Sequence, residues 1–501
     1  MSRVVVSRSA TEEFYSDGRS FSATAVREIT QEWVDKQMEQ KISEFTANRE
    51  VTIFTGTWNV NAKKQEGSLS GWLLHHSFNA NKIDIYAVGF QEIVDLNAMN
   101  VALDSSKTSQ RTQFWQEKIS EALEILEDRY VCIGSKALVG LLLCVYVKGS
   151  LLEHISDVRI NQVGVGLMGM MGNKGGVAIR MNIYDSSVVF VCSHLAAHRE
   201  NVVGRNSDFS NIMEKMLFPS EEKSKRYSLE DGSHVRPKFG AQRYHERDLK
   251  IGDHEVIIWI GDLNYRLEQE LELDDIFNSI NRQDWNTLLQ YDQLNLERKK
   301  GTVFQQFLEG EVKFPPTYKY QPGTDEYDRR PEKKVRAPAW CDRILWRVNS
   351  SQNSLTQRIY QRANLLPSDH KPVLAVFDGT VKIVVETLED KVYNDIEKNL
   401  TYWSEKDAVP SVVLDGAEIN FGPVKYATKY SKTFRIKNDG RVVAPWRLVN
   451  KVNEKTYCKR FLTFSVSQGL LFPQSDLIDA VKHPSSLSLI SWILYYSFHR
   501  P

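Results

Sequence analysis

Between residues 51 and 377, short apolar runs repeatedly end at polar residues. One of them, IIWIGDLNYRL from Ile257 to Leu267, is typical of a strand covered on both faces. Asp and Asn directly after such a strand either cap a turn or form part of a site. The runs end in Asn59 and Asn61, in Gln91 and Glu92, in His194 and His198, and in Asp262 and Asn264, and a fifth run follows Asp369 and His370. We expect a sheet to bring these side chains to one edge and to form a site there.

Helical patterns alternate with these runs, for example at residues 113–127 and 268–279, and this alternation predicts a layered α/β domain over residues 51–378. Residues 1–22 are polar and Ser-rich, which predicts disorder. Residues 23–50 carry apolar residues at helical spacing, which predicts an amphipathic helix.

After residue 378 the pattern changes to short alternating strands separated by Gly and Asp-Gly turns. Residues 379–474 are therefore predicted to form a small antiparallel β-sandwich without a catalytic cluster. Residues 475–501 depart from the pattern, and we expect an atypical tail that lacks the closing strand. Their most apolar segment, LSLISWILYYSF, is shorter than the ~20 residues that a membrane-spanning helix needs, which favours a soluble protein.

The composition narrows the function further. Lys plus Arg and Asp plus Glu number 64 each in the 501 residues, so no overall field attracts nucleic acid, and any recognition of phosphate must be local. The five cysteines are odd in number and form no CxxC pair, which indicates reduced thiols, a cytosolic setting and no zinc site.

The carboxylates and amides at the strand ends suit magnesium chemistry. Mg²⁺ takes one or two carboxylates and shares an oxygen with a substrate phosphate, so Glu92 with Asn59 is a candidate metal site. Asp262 can accept a proton from an attacking water, and Asn264 can orient that water or the phosphoryl oxygens.

The histidines add donors that stabilise charge near a phosphate. Asp369, directly before His370, could hold that imidazole protonated, although adjacent residues need not face one another. His194 and His198 are four residues apart, which also fits a helical zinc pair, but no third ligand of the right type lies nearby.

Two further segments have open alternatives. The segment Pro315–Trp346 concentrates basic and tyrosine residues that either form a solvated loop or bind further phosphates. GNKGG, at Gly172–Gly176, is typical of a tight hairpin rather than a phosphate loop, since it lacks the GK[ST] ending. The apolar tip of that hairpin either packs under a neighbouring loop or contacts a membrane through Leu167, Met168, Met170 and Met171.

These motifs resemble those of the inositol polyphosphate 5-phosphatases, within the magnesium-dependent endonuclease/exonuclease/phosphatase superfamily. The resemblance covers about residues 51–378 and is carried by WIGDLNYRL and PAWCDRILW, together with TWNVN, GFQEIV, MGNKGGVAIR, SHLAAH, PPTYKY and SDHKPV. It implies an α/β fold, a four-layer sandwich of two mixed sheets flanked by helices. It also implies Mg²⁺-dependent hydrolysis of the 5-phosphate of phosphoinositides such as phosphatidylinositol 4,5-bisphosphate, or of soluble inositol polyphosphates, by direct attack of water.

The resemblance also implies a role for each matching residue. Asn59 and Glu92 would bind magnesium, and Asp262 would activate the water. Asn264, His194 and His370 would contact the scissile phosphate, and Asp369 would support a histidine. The neighbouring 4-phosphate would be bound by Tyr318, Lys319, Lys334 and Arg336.

The C-terminal strands GAEINFGPV, FRIKNDG and PWRLV resemble the immunoglobulin-like domain of the type II branch, which contains the Lowe-syndrome phosphatase and its paralogue. In that branch the module binds Rab GTPases. The resemblance thus implies a Rab partner and a cytoplasmic protein peripherally associated with endosomal, Golgi or plasma membranes. Two other functions stay open: a nucleic-acid phosphodiesterase of the same superfamily, which the zero net charge disfavours, and a catalytically silent Rab-binding scaffold, which the intact set of site residues disfavours.

Overall fold

The computed structural model divides the chain into two compact units, Thr46–Val384 and a second made of Met1–Phe45 with Val385–Pro501. The structure describes residues 23–95, 105–165, 174–219, 248–330, 332, 335–403, 412–414, 430–439, 444–450, 463–464, 468–471, 476–483 and 492–495. The predicted disordered segment 1–22, the hairpin tip with Leu167, Met168, Met170 and Met171, and Lys334 lie outside these residues.

The strands of the larger unit form two mixed sheets. They are β1 (Thr46–Asn59), β2 (Ile85–Gln91), β3 (Tyr130–Leu138), β4 (Leu141–Lys148), β5 (Ile155–Gly164), β6 (Gly175–Ile183), β7 (Ser186–His194), β8 (Leu217–Phe218), β9 (Leu249–Lys250), β10 (Val256–Asp262), β11 (Asp342–Val348), β12 (Ser354–Arg362) and β13 (Val373–Val384). Within the described residues, one sheet has the order β12-β13-β1-β2-β4-β3 and the other β11-β10-β7-β6-β5, while β8 pairs with β9. β1 is parallel to β2, and β7 is parallel to β10. Parallel strands place their carboxyl ends at the same edge of a sheet.

Helices precede, connect and follow these strands. They are α1 (Ala23–Gln40), α2 (Ile42–Phe45), α3 (Ser70–Leu73), α4 (Ser105–Leu123), α5 (Val202–Lys215), α6 (Leu273–Asn281), α7 (Trp285–Leu289), α8 (Gln293–Lys300) and α9 (Glu386–Trp403), with 3₁₀ turns at Ala80–Lys82, Gly149–His154 and Ile251–Asp253. No helix in the described part of the chain is long and apolar enough to cross a membrane.

The apolar residues of the larger unit pack in three layers. Ile53 and Ile85 of one sheet pack with Ile179 and Ile258 of the other and form the central core. The two sheets approach closely at Gly89, where an added Cβ would lie 2.7 Å from Cys192 Sγ. Each outer face of the sheets is covered by helices, α4 on one side and α5 and α8 on the other. The predicted four-layer α/β architecture is thereby confirmed.

Two predicted boundaries are wrong. The helix expected over residues 23–50 ends at Gln40, because residues 46–50 belong to β1. β1 pairs with β13 from Thr46↔Val384 to Thr57↔Val373, so the larger unit extends beyond residues 51 and 378 in both directions. The strand VKIVV, expected in the C-terminal domain, lies mainly in this sheet, and α9 follows it. The apolar alternation of a strand does not indicate which sheet it joins.

The C-terminal strands also form antiparallel sheets. They are β14 (Val412–Leu414), β15 (Tyr430–Asn438), β16 (Ala444–Asn450), β17 (Thr463–Phe464), β18 (Gln468–Leu471), β19 (Asp476–His483) and β20 (Trp492–Tyr495). The described strands are ordered β14-β15-β19-β17 and β18-β16-β20. An all-β module was predicted, but its expected end at residue 474 is wrong: β19 pairs with β15 along its whole length, and β20 pairs with β16. The packing of the two sheets into a sandwich stays a prediction.

Candidate active site

The carboxyl ends of β1, β2, β7 and β10 bring the predicted polar side chains together. The Asn59 Nδ2 atom lies 2.9 Å from Asp262 Oδ2 and 3.1 Å from Glu92 Oε1. His194 Nε2 lies 3.2 Å from the same Asp262 oxygen. Asn59 ends one strand and Glu92 follows another in the same sheet, whereas His194 and Asp262 end strands of the other sheet. The site therefore spans the gap between the two sheets.

The backbone at the ends of β2 and β10 adopts unusual conformations. Glu92 and Asn264 have φ values of 54° and 59°, in the left-handed region that non-glycine residues rarely adopt. Gly261 has a φ of 150°, and an added Cβ there would lie 2.0 Å from the carbonyl oxygen of Ser193. β10 thus contacts β7 directly at the site. Such conformations concentrate at functional sites, where the surrounding structure holds them.

His370 pairs with Asp342 and not with Asp369. Its Nδ1 lies 2.9 Å from Asp342 Oδ2, which also accepts a 2.6 Å hydrogen bond from Thr317 Oγ1. Asp369 instead lies 3.4 Å from Lys319 Nζ. Asp369 therefore does not pair directly with His370, but its charge is among those that raise the pKa of His370, so its support of this histidine is electrostatic.

The paired imidazole of His370 is protonated. Burial disfavours its charged form, but the charge and hydrogen bond of Asp342 outweigh burial and raise the pKa of His370 to about 9. The Tyr318 ring lies 4.6 Å from the His370 ring, centroid to centroid. The His370 carbonyl oxygen accepts a 3.0 Å hydrogen bond from Trp58 Nε1. His370 is therefore a fixed positive donor beside Asp262.

Lys174 is a site residue that the sequence analysis missed. Its Nζ contacts His194 Nε2, and burial lowers the pKa of Lys174 to about 8. Burial and the nearby Lys174 charge lower the pKa of His194, so this imidazole is neutral. The sequence offered one signal for Lys174, its place in the GNKGG motif directly before β6. The first residue of β6, Gly175, pairs with His194. β5 pairs antiparallel with β6 up to Gly164↔Gly175, and the tight hairpin expected around GNKGG falls mainly on residues outside the described part of the chain.

Asp262 remains ionised in this environment. Burial would raise its pKa, but the hydrogen bond from His194 and the positive charges of His370 and Lys174 outweigh burial and lower the pKa of Asp262 well below its usual range. Both of its oxygens accept hydrogen bonds, Oδ1 from the Asn264 backbone N–H and Oδ2 from Asn59. A buried, ionised carboxylate therefore lies at the centre of the site.

The oxygen donors fit a hard divalent cation. Glu92 keeps 30% of its side chain exposed and lies next to Asp262, so two carboxylates face a common space, as Mg²⁺ prefers. Asn59 Oδ1 accepts the Asn61 backbone N–H, so its amide NH₂ group faces the carboxylates. Ligand atoms of Asp262, Asp342 and His370 also lie within 4.8 Å of one another. That second group does not suit a metal, because the protonated His370 is a donor.

Asn264, Arg336 and His198 are three further residues predicted for the site. Asn264 Nδ2 donates to the Leu195 carbonyl oxygen at 3.1 Å, and Arg266, which the sequence analysis also missed, donates to Asn264 Oδ1 at 2.6 Å. Arg336 is exposed. His198 is exposed in the loop after β7, with a φ of 77°, so it lies on no helix and the helical zinc pair is not supported.

Comparison with known proteins identifies the family. Residues 56–376 match the model of the endonuclease/exonuclease/phosphatase family 2. The chain is 32% identical over 428 residues to type I inositol polyphosphate 5-phosphatase 8 of Arabidopsis thaliana, covering 74% of this chain and 83% of that protein. The chain belongs to the inositol polyphosphate 5-phosphatase family. Residues 414–481 match the model described as inositol polyphosphate 5-phosphatase OCRL-like, ASH domain, which confirms the predicted type II resemblance.

Other members of the family are longer than this chain. It is 38% identical over 445 residues to type II inositol 1,4,5-trisphosphate 5-phosphatase of Mus musculus, covering 89% of this chain but 41% of that protein. It spans 24% of synaptojanin-2 of Rattus norvegicus at 33% identity, covering 72% of this chain. Among solved structures, the 5-phosphatase domain of a synaptojanin in complex with inositol 1,4-bisphosphate and a calcium ion superposes with a TM-score of 0.59 at 31% identity, covering 75% of this chain and 98% of that domain.

Proposed function

We propose that this family member hydrolyses the 5-phosphate of phosphoinositides such as phosphatidylinositol 4,5-bisphosphate in a magnesium-dependent reaction. The 3,4,5-trisphosphate lipid and soluble inositol polyphosphates are further candidate substrates. The observation that carries the proposal is the ionised Asp262 carboxylate, 3.2 Å from His194 and within 4.8 Å of ligand atoms of the protonated His370. A carboxylate between such donors can hold an attacking water while the donors bind phosphate oxygens.

Asp262 is the proposed base. In the free protein its low pKa makes it a weak proton acceptor, because His370 and Lys174 place positive charge nearby. A bound phosphate brings negative charge to the same donors and raises the pKa of Asp262 toward the range in which it accepts a proton from water. His370 and Lys174 then stabilise the negative charge on the phosphoryl oxygens.

Glu92 is the residue proposed to hold Mg²⁺. Asn59, the other predicted ligand, donates through its amide NH₂ group to both Glu92 and Asp262 and is proposed to orient these carboxylates. The ion supplies positive charge that stabilises the scissile phosphate and its leaving oxygen. The calcium ion in the related synaptojanin domain supports a divalent cation in this family.

The substrate's neighbouring 4-phosphate is assigned to Tyr318, Lys319 and Arg336, with Lys334 from the same segment. Lys319 lies 3.4 Å from Asp369 and keeps 30% of its side chain exposed, so it can exchange this ion pair for a phosphate. Tyr318 contacts both the His370 ring and the Arg266 guanidinium, and these contacts support the assignment of this segment to a phosphate next to the one that His370 is proposed to bind.

Direct attack by water is proposed, and not a cysteine nucleophile. Cys144, Cys192 and Cys341 are fully buried, and burial raises the pKa of each thiol, to about 12 for Cys192. A neutral, buried thiol is a poor nucleophile. The remaining cysteines in the sequence, Cys132 and Cys458, belong to no motif of the candidate site.

The proposed setting is the cytoplasmic surface of endosomal, Golgi or plasma membranes. The phosphoinositide lipid is the proposed membrane partner, and the hairpin tip around Met170 and Met171 is proposed to contact the bilayer. The ASH match supports a protein-binding role for the C-terminal module, for which a Rab GTPase is the proposed partner.

The test is phosphate release from phosphatidylinositol 4,5-bisphosphate with Mg²⁺, compared with the Asp262→Ala variant and with a duplex DNA substrate. We expect release from the lipid by the wild-type protein alone and no cleavage of DNA. Cleavage of DNA without phosphate release would favour the nucleic-acid phosphodiesterase. Inactivity on both substrates and on soluble inositol phosphates, together with Rab binding, would favour the scaffold.

A further inference from the structure

Arg266 makes two hydrogen bonds with Asn264, a residue of the candidate site. Its Nη2 donates to Asn264 Oδ1 at 2.6 Å, and its Nε donates to the Asn264 carbonyl oxygen at 3.2 Å. Its guanidinium carbon lies over the Tyr318 ring, 4.3 Å from the ring centroid. Two donors of the guanidinium are thus occupied within the protein.

The orientation of the Asn264 amide decides whether it can bind a phosphate. The amide has an acceptor end and a donor end, and phosphate oxygens can only accept hydrogen bonds. Asn264 Nδ2 donates one hydrogen to the Leu195 carbonyl oxygen at 3.1 Å. The second hydrogen of the same NH₂ group makes no hydrogen bond within the described residues, and it is the hydrogen available to a phosphate.

We propose that Arg266 is a positioning residue that fixes the Asn264 amide with its NH₂ group toward the scissile phosphate. Guanidinium can only donate and a carbonyl oxygen can only accept, so Arg266 and Leu195 together permit a single orientation of the amide. If the amide were flipped, its NH₂ group would face the Arg266 guanidinium and its oxygen would face the Leu195 carbonyl oxygen. This inference rests on the proposed function, since the ligand of Asn264 is the phosphate that the enzyme hydrolyses.

The backbone supports the same role. Asn264 has a left-handed φ of 59°, and its N–H donates to Asp262 Oδ1 at 3.0 Å. The Arg266 N–H donates to Gln293 Oε1 at 2.9 Å. Asp262, Asn264 and Arg266 therefore lie on one short segment at the end of β10. Arg266 is the last of the three along the chain.

A double-mutant cycle tests the inference. We expect Asn264→Ala to lower kcat about 10²- to 10³-fold, as removal of one transition-state donor does, and Arg266→Met to lower kcat about 10-fold or more. If Arg266 acts through Asn264, the double variant is within about 3-fold of Asn264→Ala alone. Arg266→Lys restores little, because an ammonium group cannot donate in the same forked geometry.

A binding measurement separates positioning from direct contact with substrate. Inositol 1,4-bisphosphate lacks the 5-phosphate, so its inhibition constant should change less than about 3-fold in Arg266→Met, which also shows that the variant is folded. Arg358→Met is the matched control, since Arg358 is 65% exposed and pairs with Asp378 at the surface. Its kcat should equal that of the wild type.

The outcomes are distinguishable. Multiplicative losses in the double variant, or loss of inositol 1,4-bisphosphate binding with kcat preserved, would overturn the role of Arg266 while leaving the proposed function intact. A wild-type protein that releases no phosphate from any inositol substrate would overturn the proposed function and this inference with it.

Discussion

Two clusters of buried charge lie on neighbouring residues of β11, and they differ in how completely their polar atoms are paired. Arg343 is fully buried and binds Asp292 at 2.9 Å and Glu309 at 2.6 Å and 2.8 Å through three different nitrogens. Tyr360 donates to the same Glu309. Every charge of this scaffold cluster (Asp292, Glu309, Arg343) has a geometrically matched partner.

The site cluster (Lys174, His194, Asp262, Asp342, His370) is less completely paired. Within the described residues, the buried Asp342 Oδ1 atom has no hydrogen-bond partner. Burial lowers the pKa of Lys174, whose Nζ contacts a neutral imidazole. Complete hydrogen bonding offsets the cost of burying charge, whereas incomplete pairing leaves polar atoms of the site without a partner.

The largest expected effect is on the activity of the site cluster. Asp262→Asn should lower kcat about 10³-fold or more, because the amide cannot accept the proton of an attacking water. The amide oxygen can still accept the Asn264 N–H, so the thermal unfolding midpoint should shift by only a few degrees. Phosphate-release assays and calorimetry check both statements. A variant that retains activity would show that Asp262 is not the base.

A substitution in the scaffold cluster should have its main effect on stability instead. Arg343→Met leaves Asp292 and Glu309 buried without their cation, and removal of one partner of a buried ion pair lowers the free energy of unfolding by about 3–5 kcal/mol. Denaturant titration measures this loss. An unfolding free energy equal to that of the wild type would contradict the assignment of this cluster to the scaffold.

Replacement of Asp342 should change the pH dependence of the activity. Asp342→Asn removes the charge that keeps His370 protonated, and we expect kcat/KM to fall about 10²-fold at pH 7. In the wild-type protein, kcat/KM should decline as the pH rises through about 9, the pKa of His370. In the variant this decline should move to lower pH. An identical alkaline limb in the two proteins would show that another group causes it.

The Asp342–His370 pair should also make stability depend on pH, with less stabilisation at higher pH. Because the pKa of His370 is raised to about 9, its stabilising contribution is complete below the unfolded pKa of about 6.5 and is lost as the pH rises through about 9. The difference in unfolding free energy between the wild type and His370→Ala should therefore shrink between these pH values. A difference that is constant with pH would mean that this pair makes no ionic contribution.

The smallest expected effect belongs to a surface ion pair. Arg358 and Asp378 lie 2.6 Å apart but are 65% and 42% exposed. Such pairs contribute about 0–1 kcal/mol, so Arg358→Met should change the unfolding free energy by less than about 1 kcal/mol, and activity should be unchanged. A loss as large as that of Arg343→Met would show that burial does not explain the difference between the two arginines.

The sequence by itself determined which residues end the strands and therefore most of the candidate site. Asn59, Glu92, His194, Asp262 and Asn264 were predicted from apolar runs that end in polar residues, and His370 from its place just before such a run. The four-layer fold followed from the family resemblance of the motifs around them. These features are local in the chain, because the periodicity of a strand and the residue after it are read from neighbouring positions.

Only the tertiary structure decided how these residues pair. Asp342 reaches His370 because β11 pairs with β10 in the register that sets Asp342 opposite Asp262. Lys174 reaches His194 through the pairing of β6 with β7, and Arg266 reaches Asn264 through the turn after β10. Strand register and side-chain direction depend on contacts between distant segments, and no local pattern specifies them.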